Sequence, residues 1–419
     1  MADHGTLDVL LRAARAQLSI SQAELAHRAG VTRQAVSAIE AGKAAPTMTV
    51  ALRLARVLGQ RVDDLFRLVD ELPTVTADLL DAASVPATET VRVQVASIGG
   101  RLIARPLTGA AGVVLTLPRA NGIVRARGSS AASGRPASEG LGAGASASGV
   151  PASGAAAASA STGATIGSAI PVQVELFSDP ARLESTLVAV GCDPATSLLA
   201  EHLRRRHPAL ELVWQGGNSL QALQAVGRGE AHFAGTHLLD PATGVYNVPF
   251  ARQQLGADAR LVTFAVWEQG LMVAGGNPRG IHEVGDLARA GVRVANREPG
   301  SGARALFDAQ LARTGVLPSQ IAGYDSVVRS HLAAAEAVAA GLADAAVGVR
   351  AAALALGLAF VPLAQERYDL AIPARLFELP VVQALLETLT SPLFRLEVEA
   401  LGGYDVTPMG TLVGSSVAA

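Results

Sequence analysis

The chain has 419 residues, half of them hydrophobic and 17% charged, with a net charge of −2. That length exceeds one ordinary core and predicts two or three domains. The near-neutral balance excludes a generally basic nucleic-acid coat but leaves room for a local DNA-reading module. Cys192 is the one cysteine. It rules out an intrachain disulfide framework and a multi-cysteine zinc site, and it fits a reducing, cytoplasmic location.

The apolar content invites a membrane reading, which the residues refuse. The richest segment, Ala351 to Ala364, contains Gly357 and Pro362 and follows Arg350. Spanning a bilayer takes about 20 uninterrupted apolar residues. The opening "MADHGTLDVLLRAARAQ" has acidic residues and no basic stretch before an apolar run. No signal peptide and no membrane partner are expected.

Residues 1–70 read as an all-α DNA-binding domain, densely helical from Leu7 onward. Ser21 can cap a helix whose apolar positions include Leu25 and Ala29, and Gly30 ends it in a tight turn. Thr32 then caps a second helix, Arg33 to Glu40, with Ala35, Val36 and Ile39 turned inward. Arg33, Gln34 and Ser37 stay on the outer face, near the end that meets base edges in a major groove. Gln22, Lys43 and Thr47, with Thr32 at the cap, stand where backbone phosphates would be met. Two short helices with glycine in the turn make a helix-turn-helix.

The stretch "SQAELAHRAGVTRQAVSAIEAGKAAPT" resembles the Cro/C1-type (XRE) helix-turn-helix family, a likeness covering roughly residues 7–68. It implies binding of double-stranded operator DNA as a homodimer on a two-fold-related site. A helical domain for protein contacts alone is the plainer alternative.

Residues 71–90 are expected to be a linker. Residues 91–178 then read as a small β-domain. "VRVQVASIGGRLIARPL" and "GVVLTLPRANGIVRARG" alternate with period two and carry glycine turns. The run from Ser129 to about Thr165 is Gly/Ala/Ser/Pro with almost no large apolar residue. Such a run, taken as 129–166, is expected to be a disordered insert inside the β-domain or an interdomain tether.

Residues 183–405 alternate strand and helix, the texture of a largely parallel sheet, with 406–419 as a tail. "STLVAV", "LELVWQ", "AHFAGTH" and "VRVAN" read as strands, each but the third followed by a helical pattern. Two apolar runs, "ARLVTFAVWEQGLMVAGG" and "ADAAVGV…GLAFVPLAQERYDLAIP", read as long strands able to cross between two lobes.

Three glycine-bearing turns recur at strand ends and open onto helices: Gly191-Cys192-Asp193-Pro194, Gly216-Gly217-Asn218-Ser219 and Gly300-Ser301-Gly302. Helix N-termini present backbone N–H groups and a positive dipole end, which suits an anion. The carboxyl edge of an open α/β sheet is where ligands bind. Arg297 and Arg304 would add charge-assisted hydrogen bonds. Thr236, His237, Tyr246 and Asn247 follow another strand and would face the same ligand.

A phosphate-binding P-loop needs a lysine after the glycines, and the one lysine, Lys43, lies elsewhere. "GSGARA" fits a dinucleotide fingerprint, but Asn296 to Pro299 separate it from its strand. The glycines alone can simply make tight turns. His237 with Cys192 or His331 as metal ligands lacks any supporting spacing, so no metal is expected. Cys192 as a nucleophile would need a histidine and an orienting partner nearby. His331 and Glu336 either line the cleft or solvate a helix, and Arg204 to His207 read as a solvated helix end.

The segments "GCDPATSLLAEHL", "GGNSLQAL", "GEAHFAGTHLLDPATGVYN", "NREPGSGARALFD", "GLADAAVGVRAAALALGLAFVPLAQERYDL" and "LGGYD" resemble, as a set, the type II periplasmic-binding-protein-like domain of cytoplasmic regulators, a group similar to molybdate-binding proteins. The likeness implies two lobes closing over a small ligand, with molybdate or tungstate suggested. Related sequences usually carry Ser or His where this chain has Cys192.

The fold class expected is therefore multidomain: an all-α helix-turn-helix domain, a small β-domain with a disordered insert, and a two-lobed α/β domain. The function expected is a one-component transcriptional regulator, not an enzyme and without a cofactor, that senses a small anion. A transport binding protein is opposed by the DNA module and the missing signal peptide. A molybdenum-cofactor-related or nucleotide-binding enzyme is opposed by the lack of an arranged acid, base or nucleophile.

Overall fold

Serine, threonine and glycine set the helix ends of the first unit. The computed structural model describes residues 7–68, 72–82, 90–107, 119–125 and 169–413. They divide into two units, one of residues up to Thr74 with Glu175–Ser178, the other of Val75–Val174 with Asp179 onward. In the first unit β1 (Leu7–Val9) leads into α1 (Leu11–Gln17), α2 (Gln22–Ala29), α3 (Arg33–Glu40), α4 (Met48–Leu58), α5 (Val62–Leu65) and β2 (Phe66–Leu68). The side chains of Ser21, Thr32 and Thr47 accept the amides of Glu24, Ala35 and Val50 at 3.1, 3.0 and 3.4 Å. Each such cap is worth about 1 kcal/mol. Gly30 and Gly59 close α2 and α4 in the left-handed conformation.

The core of this unit is Leu11, Leu25, Val36, Leu54 and Leu65, all fully buried. Each contributes about 1.5–3 kcal/mol relative to an exposed side chain. The expectation of helix from Leu7 onward needs one correction: Leu7–Val9 pairs antiparallel with Phe66–Leu68 instead. A ribbon whose partners lie at opposite ends of the domain leaves no local signal.

A closed barrel, nearly all of it in the second unit, is made of β3 (Thr74–Leu79), β4 (Val91–Ile98), β5 (Arg101–Pro106), β6 (Gly122–Val124) and β7 (Ile170–Leu176), in the order β3-β5-β4-β6-β7. Strands β4 and β5 form the expected hairpin. Ile98 pairs with Arg101 across Gly99 and Gly100, both at positive φ, as a two-residue turn of matching twist requires. The segment expected as a linker supplies β3, whose "TVTADL" alternation was readable. Residues 83–89 of that segment, 108–118 and the whole 129–166 insert lie outside the described residues.

The rest of the unit alternates strand and helix: β8 (Thr186–Gly191), α6 (Thr196–Arg206), β9 (Glu211–Gly216), α7 (Ser219–Gly227), β10 (Phe233–Thr236), α8 (Val248–Leu255), β11 (Arg260–Val273), β12 (Val294–Arg297), α9 (Gly302–Thr314), β13 (Val327–Val328), α10 (His331–Ala339), β14 (Ala345–Val349), α11 (Arg350–Ala355), β15 (Ala359–Ile372), α12 (Ala374–Phe377), α13 (Pro380–Leu389), α14 (Pro392–Ala400) and β16 (Tyr404–Asp405). One nine-stranded sheet runs β13-β12-β14-β11-β15-β10-β8-β9, with β16 beside β11. One lobe is built on β8, β9 and β10, the other on β12, β13 and β14. The 14-residue strands β11 and β15 pair antiparallel through both lobes.

The first long apolar run is thus one strand, as expected. The second is β14, α11 and β15 in succession, because Gly357 ends α11 in a left-handed turn. The register of β11 against β15 shifts near Gln269, where Pro362 brings no amide to the ladder. The expected tail is part of the fold as far as residue 413: Thr263 and Leu261 exchange backbone hydrogen bonds with Thr411, Gly410 and Val413, and Met409 is fully buried. Among the described residues no helix is long and apolar enough to cross a membrane.

Candidate functional site

In the first unit α2 and α3 are joined by Gly30, Val31 and Thr32, and α3 presents Arg33, Gln34 and Ser37 to solvent. Thr32, Lys43 and Thr47 are exposed beside them. Gln22 behaves differently from expectation. It is half-buried, and its Nε2 donates to Glu40 Oε2 at 2.7 Å. Glu40 also accepts from Arg15 Nε at 2.6 Å. Burial pushes the Glu40 carboxyl up, but the hydrogen bonds from Arg15 and Gln22 outweigh it and hold the pKa below the usual range. This pair ties α1 to α3 across 25 residues, beyond the reach of local pattern.

In the second unit the three glycine turns meet. The amide of Gly217 donates to Gly191 O at 2.9 Å, joining the first two. Asn218 caps α7 and donates Nδ2 to Pro299 O at 3.4 Å, and Leu220 N donates to Gly300 O, joining the second to the third. All three surround His237. Cys192 Sγ lies 3.4 Å from its Nε2, Ser219 Oγ accepts its backbone amide, and a methyl on Gly302 would run into its ring. Ser301 caps α9 through the amide of Arg304. The first turn does not start its helix at once: Asp193 Oδ1 accepts from Ala195 N, and α6 begins at Thr196.

The long strands β11 and β15 supply Gln269 and Glu366, which no local pattern in the sequence marks. His237 Nδ1 lies 2.8 Å from Glu366 Oε2, and Gln269 Nε2 donates to the same oxygen at 2.7 Å. Burial pushes the His237 imidazole down, yet the Cys192 thiol and Glu366 outweigh it and raise its pKa to about 9. His331, at the start of α10 in the other lobe, is fully buried beside His237, with ring centroids 5.9 Å apart. Burial and nearby Arg297 hold it well below the usual imidazole pKa. Trp267 packs edge-on against both histidines. Asp193 is buried, donated to by the Tyr404 hydroxyl at 2.7 Å, and burial pushes it up to about 6.

Buried atoms without a hydrogen-bond partner gather here: Arg297 Nη1, Trp267 Nε1, both nitrogens of His331, and Gln269 Oε1. Arg297 is 1% exposed, and its Nε is held by Glu298 at 3.0 Å. Buried polar groups are normally paired, so such a gathering marks a place where water, an ion or a ligand would complete the bonding.

Several expected contacts have other duties. The Arg304 guanidinium is taken up by Asp308, by the face of Tyr324 and by the carbonyl of Arg297. Thr236 donates to Asn247, which also accepts from Leu238 N and donates to Asp369. This corner shapes the loop after β10. Tyr246 is partly buried, its hydroxyl 3.5 Å from Gln365 O. Polar residues in a loop can bond the backbone as readily as a ligand, and sequence does not separate the two. Arg204 and Arg205 pair with Glu201, and Arg206 with Glu387, as a solvated helix end does.

A family model for a helix-turn-helix domain matches residues 11–65, and one for the PBP superfamily domain matches residues 200–390. The chain is 35% identical over 224 residues to the uncharacterized protein YvgK of Bacillus subtilis, spanning 53% of this chain and 72% of that protein. An uncharacterized HTH-type transcriptional regulator of Methanothermobacter thermautotrophicus is 44% identical over 63 residues, 15% of this chain and 90% of its own. The chain belongs to the helix-turn-helix regulators joined to a PBP superfamily domain. An uncharacterized protein encoded beside a ferredoxin gene in Clostridium pasteurianum is 38% identical over 109 residues, 26% of this chain and 96% of its own. The cluster around His237 therefore sits between the lobes of the PBP superfamily domain.

Proposed function

We propose that this regulator works as a one-component transcriptional switch in the cytoplasm. The α3 face, with Arg33, Gln34 and Ser37, reads operator DNA as a homodimer, and Lys43 and Thr47 meet phosphates. The PBP superfamily domain senses a small oxyanion of the molybdate or tungstate type. One observation carries the ligand reading: three turns leading into helices converge on one buried point, where Arg297 Nη1 and Trp267 Nε1 are donors without partners. The Arg297 guanidinium carries positive charge and the Trp267 indole can only donate, which suits an anion.

A ligand held by both lobes favours their closed arrangement, and it shifts DNA binding only by its differential affinity for the two states. The full chain is melted with molybdate, tungstate, sulfate and phosphate in turn. A ligand at 100 times its dissociation constant adds about 2.7 kcal/mol of stability. Stabilisation only by nucleotides would replace the oxyanion reading. A thiol enzyme is the second reading, favoured by the order Cys192–His237–Glu366, which matches nucleophile, base and orienter. Turnover of a bound compound by the purified protein would establish it instead.

A further inference from the structure

Cys192, His237 and His331 each bring one ligand atom into a group within 4.8 Å of one another, and all three are buried. Cys192 and His237 follow β8 and β10 of one lobe, and His331 opens α10 of the other. We propose that these three side chains form a site for a thiophilic metal ion, Zn²⁺ or Cu⁺, that clamps the two lobes together. The proposal goes beyond the oxyanion reading and does not rest on it.

Bond lengths agree with such an ion. Zinc bonds of about 2.3 Å to sulfur and 2.0–2.1 Å to nitrogen, at tetrahedral angles, place the two ligand atoms about 3.5 Å apart. Cys192 Sγ and His237 Nε2 are 3.4 Å apart. The surroundings agree too. A ligating histidine donates its other ring N–H to a carboxylate, which fixes the tautomer. Glu366 Oε2 lies 2.8 Å from His237 Nδ1, and Gln269 Nε2 donates to the same carboxylate oxygen at 2.7 Å. His331 is the independent sign: it is fully buried, and neither ring nitrogen has a hydrogen-bond partner among the described residues.

The donor types choose the ion class. One thiolate with two imidazoles suits zinc or cuprous ions and not Mg²⁺ or Ca²⁺, which want oxygen. The Cys192 thiol proton leaves to solvent as the ion binds. The facing charges permit a cation: the thiolate and Glu366 are negative, and nearby Arg297 is held by Glu298 through Nε and Nη2, with only its Nη1 left free among the described residues. Three protein ligands leave a fourth position for water or a small anion.

The test uses the full chain, stripped with a chelator and titrated with Zn²⁺ against a chromophoric indicator, with Cu⁺ in a parallel anaerobic arm and Mg²⁺ as control. Co²⁺ serves as the spectroscopic probe. One ion per chain and a thiolate-to-cobalt charge-transfer band are expected. Both are lost in Cys192→Ser and in His331→Leu, and Glu366→Gln weakens binding about 10- to 100-fold. His331→Leu breaks no hydrogen bond, so its unchanged melting curve shows the loss is not misfolding. Binding that is absent in the parent chain, or equal in His331→Leu, overturns the proposal. Molybdate melts of the metal-free chain report separately on the oxyanion reading.

Discussion

His232 shows how one buried side chain sets a pH limit. Val188 N donates to its Nδ1 at 2.9 Å, and its other face meets the backbone of Ser97. Burial drives its pKa down from 6.5 to about 4, and the amide donated to Nδ1 keeps that nitrogen unprotonated. The sign follows directly. Between pH 6.5 and 4 the unfolded imidazole binds a proton that the folded one refuses, so stability is lost as the pH falls through that window. The loss approaches about 3 kcal/mol near pH 4. Urea unfolding across that range should show the fall, and His232→Gln should flatten this part of it. An unchanged slope in the variant would mean that other groups govern acid lability.

Helix ends do much of the work at the scale of elements. Gly302 opens α9 directly against the His237 ring, where a side chain has no room. Gly302→Ala should push the lobes apart, lower stability by about 1–3 kcal/mol and weaken oxyanion binding. Calorimetry and titration check the two effects together. On α3, Gln34→Ala should relax operator preference at one base pair by about 1–3 kcal/mol, without moving the melting point. Lys43→Ala should instead weaken binding to all sequences alike and reduce the salt slope by about one. Binding-site selection followed by salt titration separates the two. Similar salt slopes for both variants would contradict the division into base-reading and phosphate-meeting residues.

For the whole molecule, a switch requires that the cleft and the operator-reading face share a free energy. If a cleft ligand changes operator affinity by a factor, operator DNA must change ligand affinity by the same factor. Typical couplings are about 1–3 kcal/mol, or 5- to 150-fold. Calorimetric ligand titrations with and without operator DNA, compared with DNA binding at saturating ligand, should give equal factors. Ligand binding that ignores the operator would leave two independent modules on one chain.

The features legible from sequence alone are those whose cause is local. Ser21 and Thr32 cap the helices they were expected to cap, and Thr47, expected only at a phosphate, caps α4 in the same way, since a cap needs only a hydroxyl three residues from an amide. Gly99-Gly100 turns its hairpin, and the alternating runs around it become strands, by equally short-range rules. Only the tertiary structure brings Cys192, His237, His331 and Glu366 together, because sheet order and the long β11–β15 ladder join residues far apart in sequence, His237 and Glu366 being 129 residues apart. It also decides which polar residues bond the backbone, as Asn247 and Arg304 do, and which keep an unpaired atom in the cleft, as Arg297 and His331 do. That choice depends on burial and partner geometry, which residue type and spacing do not encode.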